Sequence, residues 1–248
     1  MPYRRLPNTD AARIRALKAA LKQGQNLDID TIAYPYALKQ KIEFFLPKFE
    51  VAITNSRLAR EKQSDNSQKF SDYTKKARLY ISHFIQVLNF CIARGELKRT
   101  ARTFYGLEEN SSKVPCLMSE QDLLQWGEKI IAGEQNRIAN GGGNPIYCPS
   151  IALVKVNYEN FRENYMRQKQ FQNNSARESG NVAQYRDDAD ALILEVWNEV
   201  ENHFSEIKDE DEKRHLCEEY GLVYVFRRGE QDKIRRRKEA ERITLKLF

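Results

Sequence analysis

Through most of this chain apolar residues recur every three to four positions, the period of a helix with one buried face. Ala12, Ile14, Leu17, Ala20 and Leu21 make the first stripe, with Thr9 and Asp10 as its N-cap and first-turn acid and Gly24 as its stop. A long helix follows Ala33-Tyr34-Pro35-Tyr36 and runs toward Arg60, carrying Leu38, Ile42, Phe45, Phe49, Ala52 and Ile53 on one side, with a kink expected at Pro47. The polar run Gln63–Gln68 reads as the tip of a helical hairpin. Its return helix carries Tyr73, Ala77, Tyr80, Ile81, Phe84, Leu88, Cys91 and Ile92, Gly95 closes it, and a basic segment leads to Tyr105-Gly106-Leu107.

The plan then repeats. Ser119 and Asp122 cap a helix with Leu123, Leu124, Ile130, Ile131 and Ile138, ended by Gly141-Gly142-Gly143-Asn144-Pro145. A second long helix opens at Pro149-Ser150 with Val154, Tyr158, Phe161 and Tyr165 on one face. Gln172–Gly180 reads as its tip, and Tyr185, Ala189, Leu192, Ile193, Val196, Trp197, Val200 and Phe204 line the return. A short helix around Asp211–Glu219 leads to Tyr220-Gly221-Leu222. Ala37-Leu38 answers Ala152-Leu153 and Tyr105-Gly106-Leu107 answers Tyr220-Gly221-Leu222, each at an offset of 115 residues. The expectation is an all-α, duplicated helical-hairpin bundle with a pseudo-twofold repeat. Residues 1–110 form the first repeat and 111–222 the second; superposing 9–107 on 119–222 should match three helices. Residues 223–248 add a short strand at Val223-Tyr224-Val225-Phe226, pairing with Ile243-Thr244-Leu245 or continuing into a helical basic segment.

The opening PNTDAAR, the central GGGNPIYCPSIALVKVNYE and the closing EEYGLVYVFRRGE resemble segments of bacterial all-helical proteins with no assigned activity. The resemblance implies a helical fold and carries no substrate or cofactor with it.

Charge refines the picture. The net charge is +6. Residues 1–23 hold six Lys and Arg against Asp10, and residues 227–248 hold nine against four acids, so the basicity is terminal and the middle is acidic. No apolar run approaches the roughly 20 residues that span a bilayer, and the N-terminal residues show no secretory pattern. Four dispersed cysteines read as reduced thiols of a cytoplasmic protein.

Candidate chemistry is sparse. Glu212-x-x-His215 has the spacing of a di-iron helix, but the other repeat holds no matching pair. His83 and Cys91 fall on an apolar stripe. Cys217 lies two positions from His215, on a different helix face, and no nucleophile elbow is present. Asp187, Asp188, Asp190, Glu195 and Glu199 read as a solvated face, and the triple glycine lacks the context of a phosphate loop. No catalytic, cofactor or metal residue is assigned, and the leaning is away from an enzyme. The favoured reading is a binding or assembly module for an unknown protein partner or a second copy, using a groove between the repeats lined by Tyr34, Tyr36, Tyr147 and Tyr158. The alternatives are a nucleic-acid-associated protein using the basic termini, with Arg235, Arg236 and Arg237 on phosphates, and an enzyme whose site is scattered along the chain. Glu230, Asp232, Glu239 and Glu241, interleaved with the basic residues, argue for weak, non-specific nucleic-acid binding.

Overall fold

The computed structural model describes residues 3–26, 31–227 and 229. Among them, five α-helices and one 3-10 helix account for nearly all the regular structure, so the chain is all-α: α1 (Asp10–Asn26), α2 (Tyr36–Ala93), the 3-10 helix (Arg99–Tyr105), α3 (Glu120–Ala139), α4 (Ile151–His203) and α5 (Glu210–Glu219). Two residues at each end form the only sheet described, β1 (Tyr3–Arg4) antiparallel to β2 (Tyr224–Val225), with Tyr3 opposite Val225. The partner of the expected C-terminal strand is therefore the N-terminus. Ile243-Thr244-Leu245 and Arg235 to Arg237 lie outside the described residues.

The helix starts follow cap chemistry. Thr9 Oγ1 accepts the Ala12 amide at 3.2 Å. Ser119 and Asp122 exchange side-chain and backbone bonds in a full capping box. Gly24 does not stop α1, which runs on to Asn26. Instead, a Cβ at Gly24 would lie 2.7 Å from the Tyr34 hydroxyl, so this glycine makes room for a ring.

Both expected hairpin tips are helix. Gln63–Gln68 sits inside α2 and Gln172–Gly180 inside α4, so neither long helix turns back. The physical reason is that a polar run is not a break. Gln63–Gln68 holds no glycine or proline, and polar residues can face solvent or one another on a continuing helix. Asn66 and Gln168 are buried, and the Asn66 amide donates to Gln168 Oε1 at 2.6 Å while Gln168 Nε2 donates to Ser67 Oγ at 2.8 Å. Polar pairs here occupy places that an apolar stripe would fill elsewhere. α2 also continues through Pro47. Pro47 is on the exposed side of the helix, where water can serve the carbonyl that its missing N–H leaves unpaired.

The chain divides into two compact units, 1–57 with 177–248, and 58–176. In the first, α1 and the start of α2 pack on the end of α4 and on α5. Its core gathers Leu17, Ala20, Tyr34, Leu38, Ile42, Ile193, Val196, Trp197, Val200, Cys217 and Tyr220. Two forked ion pairs clamp α1 to α4: Arg13 to Asp190 at 2.7 and 2.8 Å, and Arg186 to Asp10 at 2.7 and 2.8 Å. Asp190 thus holds a neighbouring helix rather than lying on a merely solvated face. In the second unit, the end of α2, the 3-10 helix, α3 and the start of α4 surround Ala77, Ile81, Phe84, Leu88, Tyr105, Leu123, Ile130, Val154, Tyr158 and Phe161. Ile138, expected on the α3 stripe, is exposed.

Candidate functional site

The four tyrosines expected to line a groove have different environments. Tyr34 is 3% exposed in the first unit, where its hydroxyl donates to the Ala20 carbonyl at 2.8 Å and its ring meets Tyr220 edge-on. Burial raises its pKa above the usual 10. Tyr158 is 2% exposed in the second unit, with its hydroxyl on the Leu124 carbonyl at 3.1 Å and its ring over Gly127. Burial pushes its pKa up to about 12. Both are core residues with satisfied hydroxyls. Tyr36 and Tyr147 are exposed, in the first and second units respectively.

The most elaborate polar cluster was not foreseen from the sequence. Glu134 and Arg137, one turn apart on α3, are both fully buried. Arg137 Nη2 donates to Glu134 Oε1 at 2.8 Å, and Arg137 Nε donates to Glu134 Oε2 and to the Tyr105 hydroxyl, each at 2.9 Å. The Tyr105 hydroxyl donates to Glu134, and the Ile146 amide closes the set at 3.1 Å. The glycine loop wraps the same guanidinium, which donates to the Gly142 and Asn144 carbonyls. Burial alone would raise the Glu134 pKa, but the hydrogen bonds from Arg137, Tyr105 and the Ile146 amide outweigh it and hold the pKa below its usual 4.5. Every charge is matched and every lone pair engaged, which is the chemistry of a structural clasp.

A cavity of about 510 Å³ in the first unit differs in kind. Its apolar lining comes from Leu6, Ala16, Trp197, Leu222, Val223 and Val225, brought together because β2 pairs with β1 directly after the turn at Gly221. Gly221 has φ +89°, and a Cβ there would meet the Ala16 carbonyl at 2.9 Å, so a glycine is required for the chain to pass this close to α1. Arg5 and Arg15 also line the cavity, with Glu218 opposing them in charge.

The fate of the N-terminal basic residues makes this cavity distinctive. Arg4 is bonded to Glu201 and Asn198, Arg13 to Asp190, and Lys18 to Glu50 at 2.7 Å. Half of the N-terminal positive charge is therefore spent on internal ion pairs. Arg5 and Arg15 make no such pair among the described residues, and both residues line the apolar cavity. The spacing of these residues in the sequence gave no hint of this, because the wall opposite them arrives about 200 residues later.

One further surface is unpartnered among the described residues. Phe44 and Val51 are 71% and 57% exposed and flank Pro47 on α2. At 100° per residue they point away from Ile42, Phe49 and Ala52, which are buried. No group of three His, Cys, Asp or Glu side chains able to hold a metal occurs among the described residues. No helix there is long and apolar enough to cross a membrane. No family model, no curated protein and no solved structure matches this chain.

Proposed function

We propose that this protein is a binding module, and that the cavity between α1 and the β1–β2 strands receives an apolar segment of a partner protein bearing a carboxylate. The observation that supports it is the coincidence of apolar walls with Arg5 and Arg15, two cations without an internal partner among the described residues. An apolar pocket with a few convergent polar groups is the usual form of a binding site, and a guanidinium fork fits a carboxylate. The four free cysteines are in keeping with the reducing cytoplasm as its compartment. Two sequence copies, 1–110 and 111–222, remain our reading of its origin. In its support, the order helix, long helix, short helix, Tyr-Gly-Leu occurs twice, and Gly106 and Gly221 both take positive φ.

The test is titration with 8-anilinonaphthalene sulfonate, an apolar anion whose fluorescence reports a dry site, followed by its displacement with a Leu- and Glu-rich peptide. Saturable binding should be lost in the Arg5→Glu/Arg15→Glu variant while its helical signal and unfolding midpoint hold. A variant that binds dye and peptide as the wild type does would refute the reading.

The exposed face of Phe44, Pro47 and Val51 supports a second reading, self-association. Glu43 and Lys48 flank that face, and parallel packing on a second copy would set each Glu43 near the other's Lys48. Sedimentation equilibrium of Phe44→Asp/Val51→Asp against the wild type decides it: an unchanged monomer in both removes this reading.

A further inference from the structure

Among the described residues, three arginines are buried: Arg13, Arg102 and Arg137. Arg13 is forked onto Asp190, and Arg137 onto Glu134. Arg102, 3% exposed, forms no ion pair among the described residues. Its Nε donates to the Glu108 carbonyl at 2.7 Å, its Nη1 to Asn89 Oδ1, and its Nη2 to the Lys113 carbonyl at 3.3 Å. These are neutral acceptors, and they use three of the five N–H groups that a guanidinium carries. A buried cation without an ion-pair partner is costly, and burial lowers the Arg102 pKa, with the nearby Glu108 carboxylate offsetting only part of that effect.

Arg102 lines an open cavity of about 350 Å³ in the second unit. Arg99 lines it too, exposed and three residues earlier on the same 3-10 helix. The end of α2 adds Asn89, Ile92 and Ala93 to the wall, and the loop after Leu107 adds Asn110, Ser111 and Ser112. Ser111 Oγ accepts the Lys113 amide at 3.2 Å, which leaves its own O–H to donate. Donors therefore come from the two arginines on one side and from the loop's hydroxyls and amide on another. Glu109 is the one carboxylate in the lining.

We propose that this cavity is a binding site for a tetrahedral oxyanion, the phosphate group of a small phosphorylated molecule. The anion completes the charge of Arg102, accepts from its two spare N–H groups and from Arg99, and turns its other oxygens to Ser111, Ser112 and Asn110. A planar carboxylate offers oxygens to one side only, whereas a tetrahedral oxyanion reaches both sides at once. The cavity exceeds the needs of a bare phosphate and leaves room for the organic part of a monoester. The site is separate from the cavity lined by Arg5 and Arg15 and does not depend on the function proposed for it.

Isothermal titration of the whole protein with inorganic phosphate, at constant ionic strength, tests the site. Sulfate should compete, and acetate and chloride should not. Arg102 also ties three acceptors together, so its loss risks the fold; Arg99→Gln and Glu109→Gln, both at exposed positions, are the informative variants. Arg99→Gln should weaken phosphate binding about tenfold or more, and Glu109→Gln should tighten it severalfold. A role in folding alone predicts neither change. Arg102→Lys, checked for an unaltered helical signal, should weaken binding as well. No saturable heat with phosphate up to about 10 mM, well above a millimolar constant, overturns the proposal. So does equal affinity in Arg99→Gln and Glu109→Gln, or equal binding of acetate.

Discussion

Replacing Arg137 with Met tests the energetics of the second unit most sharply. Arg137 and Glu134 have fully buried side chains, 2.8 Å apart. Removing the guanidinium leaves the Glu134 carboxylate in the core with only the Tyr105 hydroxyl and the Ile146 amide as donors. Stranding one charge of a buried pair costs about 3–5 kcal/mol. The Gly142 and Asn144 carbonyls also lose a donor, but they are only part-buried and water can replace it. Glu134→Leu should cost a similar amount, by stranding the cation. The double variant should cost less than the sum of the two, by about 1–3 kcal/mol. Trp126 and Trp197 are the two tryptophans, one in each unit, so urea unfolding in a Trp197→Phe background reports the second unit through Trp126 alone. The pH dependence follows in sign. Glu134 has a depressed pKa, so its stabilisation is complete above the unfolded value near 4.5 and fades as pH falls through the lower folded value. Tyr105 has a raised pKa, so its contribution is complete below pH 10 and fades above it. The Cys91 thiol of the same unit, its pKa raised from 9 by burial, adds a loss that begins above pH 9, so the midpoint should be flat between about pH 5 and 9 and fall on both sides; Glu134→Leu should flatten the acid limb. An Arg137→Met cost under about 1 kcal/mol, or strict additivity in the double variant, would refute the reasoning.

Phe84→Ala and Trp197→Ala, at residues 0% and 1% exposed, should each cost about 3–5 kcal/mol in chemical denaturation. Gly127→Ala should cost about 1–3 kcal/mol by overpacking, because its Cβ would lie 2.2 Å from the Tyr158 ring. A smaller Leu at Tyr158 should restore part of that loss, measured by thermal midpoint.

Helix phase was legible because it depends on residues a turn apart. The stripes that pointed to Phe84, Leu88, Val196 and Trp197 are the observed cores. The ends of the long helices were not legible, because Gln63–Gln68 and Gln172–Gly180 look like turns by composition and are helix by context. Asn66 is buried only because Gln168, more than a hundred residues away, supplies its acceptor. The same distance hid the candidate sites. Arg5, Arg15 and Arg102 are ordinary basic residues in sequence, and what sets them apart is that none forms an ion pair among the described residues. Glu134 and Arg137 did carry a local signal, an i,i+3 pair beside the small residue Gly133, which lets the Tyr105 ring approach α3.

The division of the chain has a consequence for folding. Residues 58–176 are continuous, whereas the other unit joins 1–57 to 177–248 across that 119-residue insertion. Closing so long a loop in an unfolded chain costs roughly 4 kcal/mol, as (3/2)RT ln n. When 58–176 is folded, the bonds of Asn66 and Ser67 to Gln168 hold α2 and α4 side by side near its two ends, so most of that entropy is already lost. The discontinuous unit should therefore depend on the continuous one and not the reverse. Hydrogen exchange followed by mass spectrometry checks it. Phe84→Ala should lower protection in its own unit and also around Leu17 and Val200, whereas Trp197→Ala should lower protection around Leu17 and leave Ile81 and Ile130 unchanged. Full protection at Leu17 under conditions where Phe84→Ala has opened 58–176 would show that the long loop closes without help.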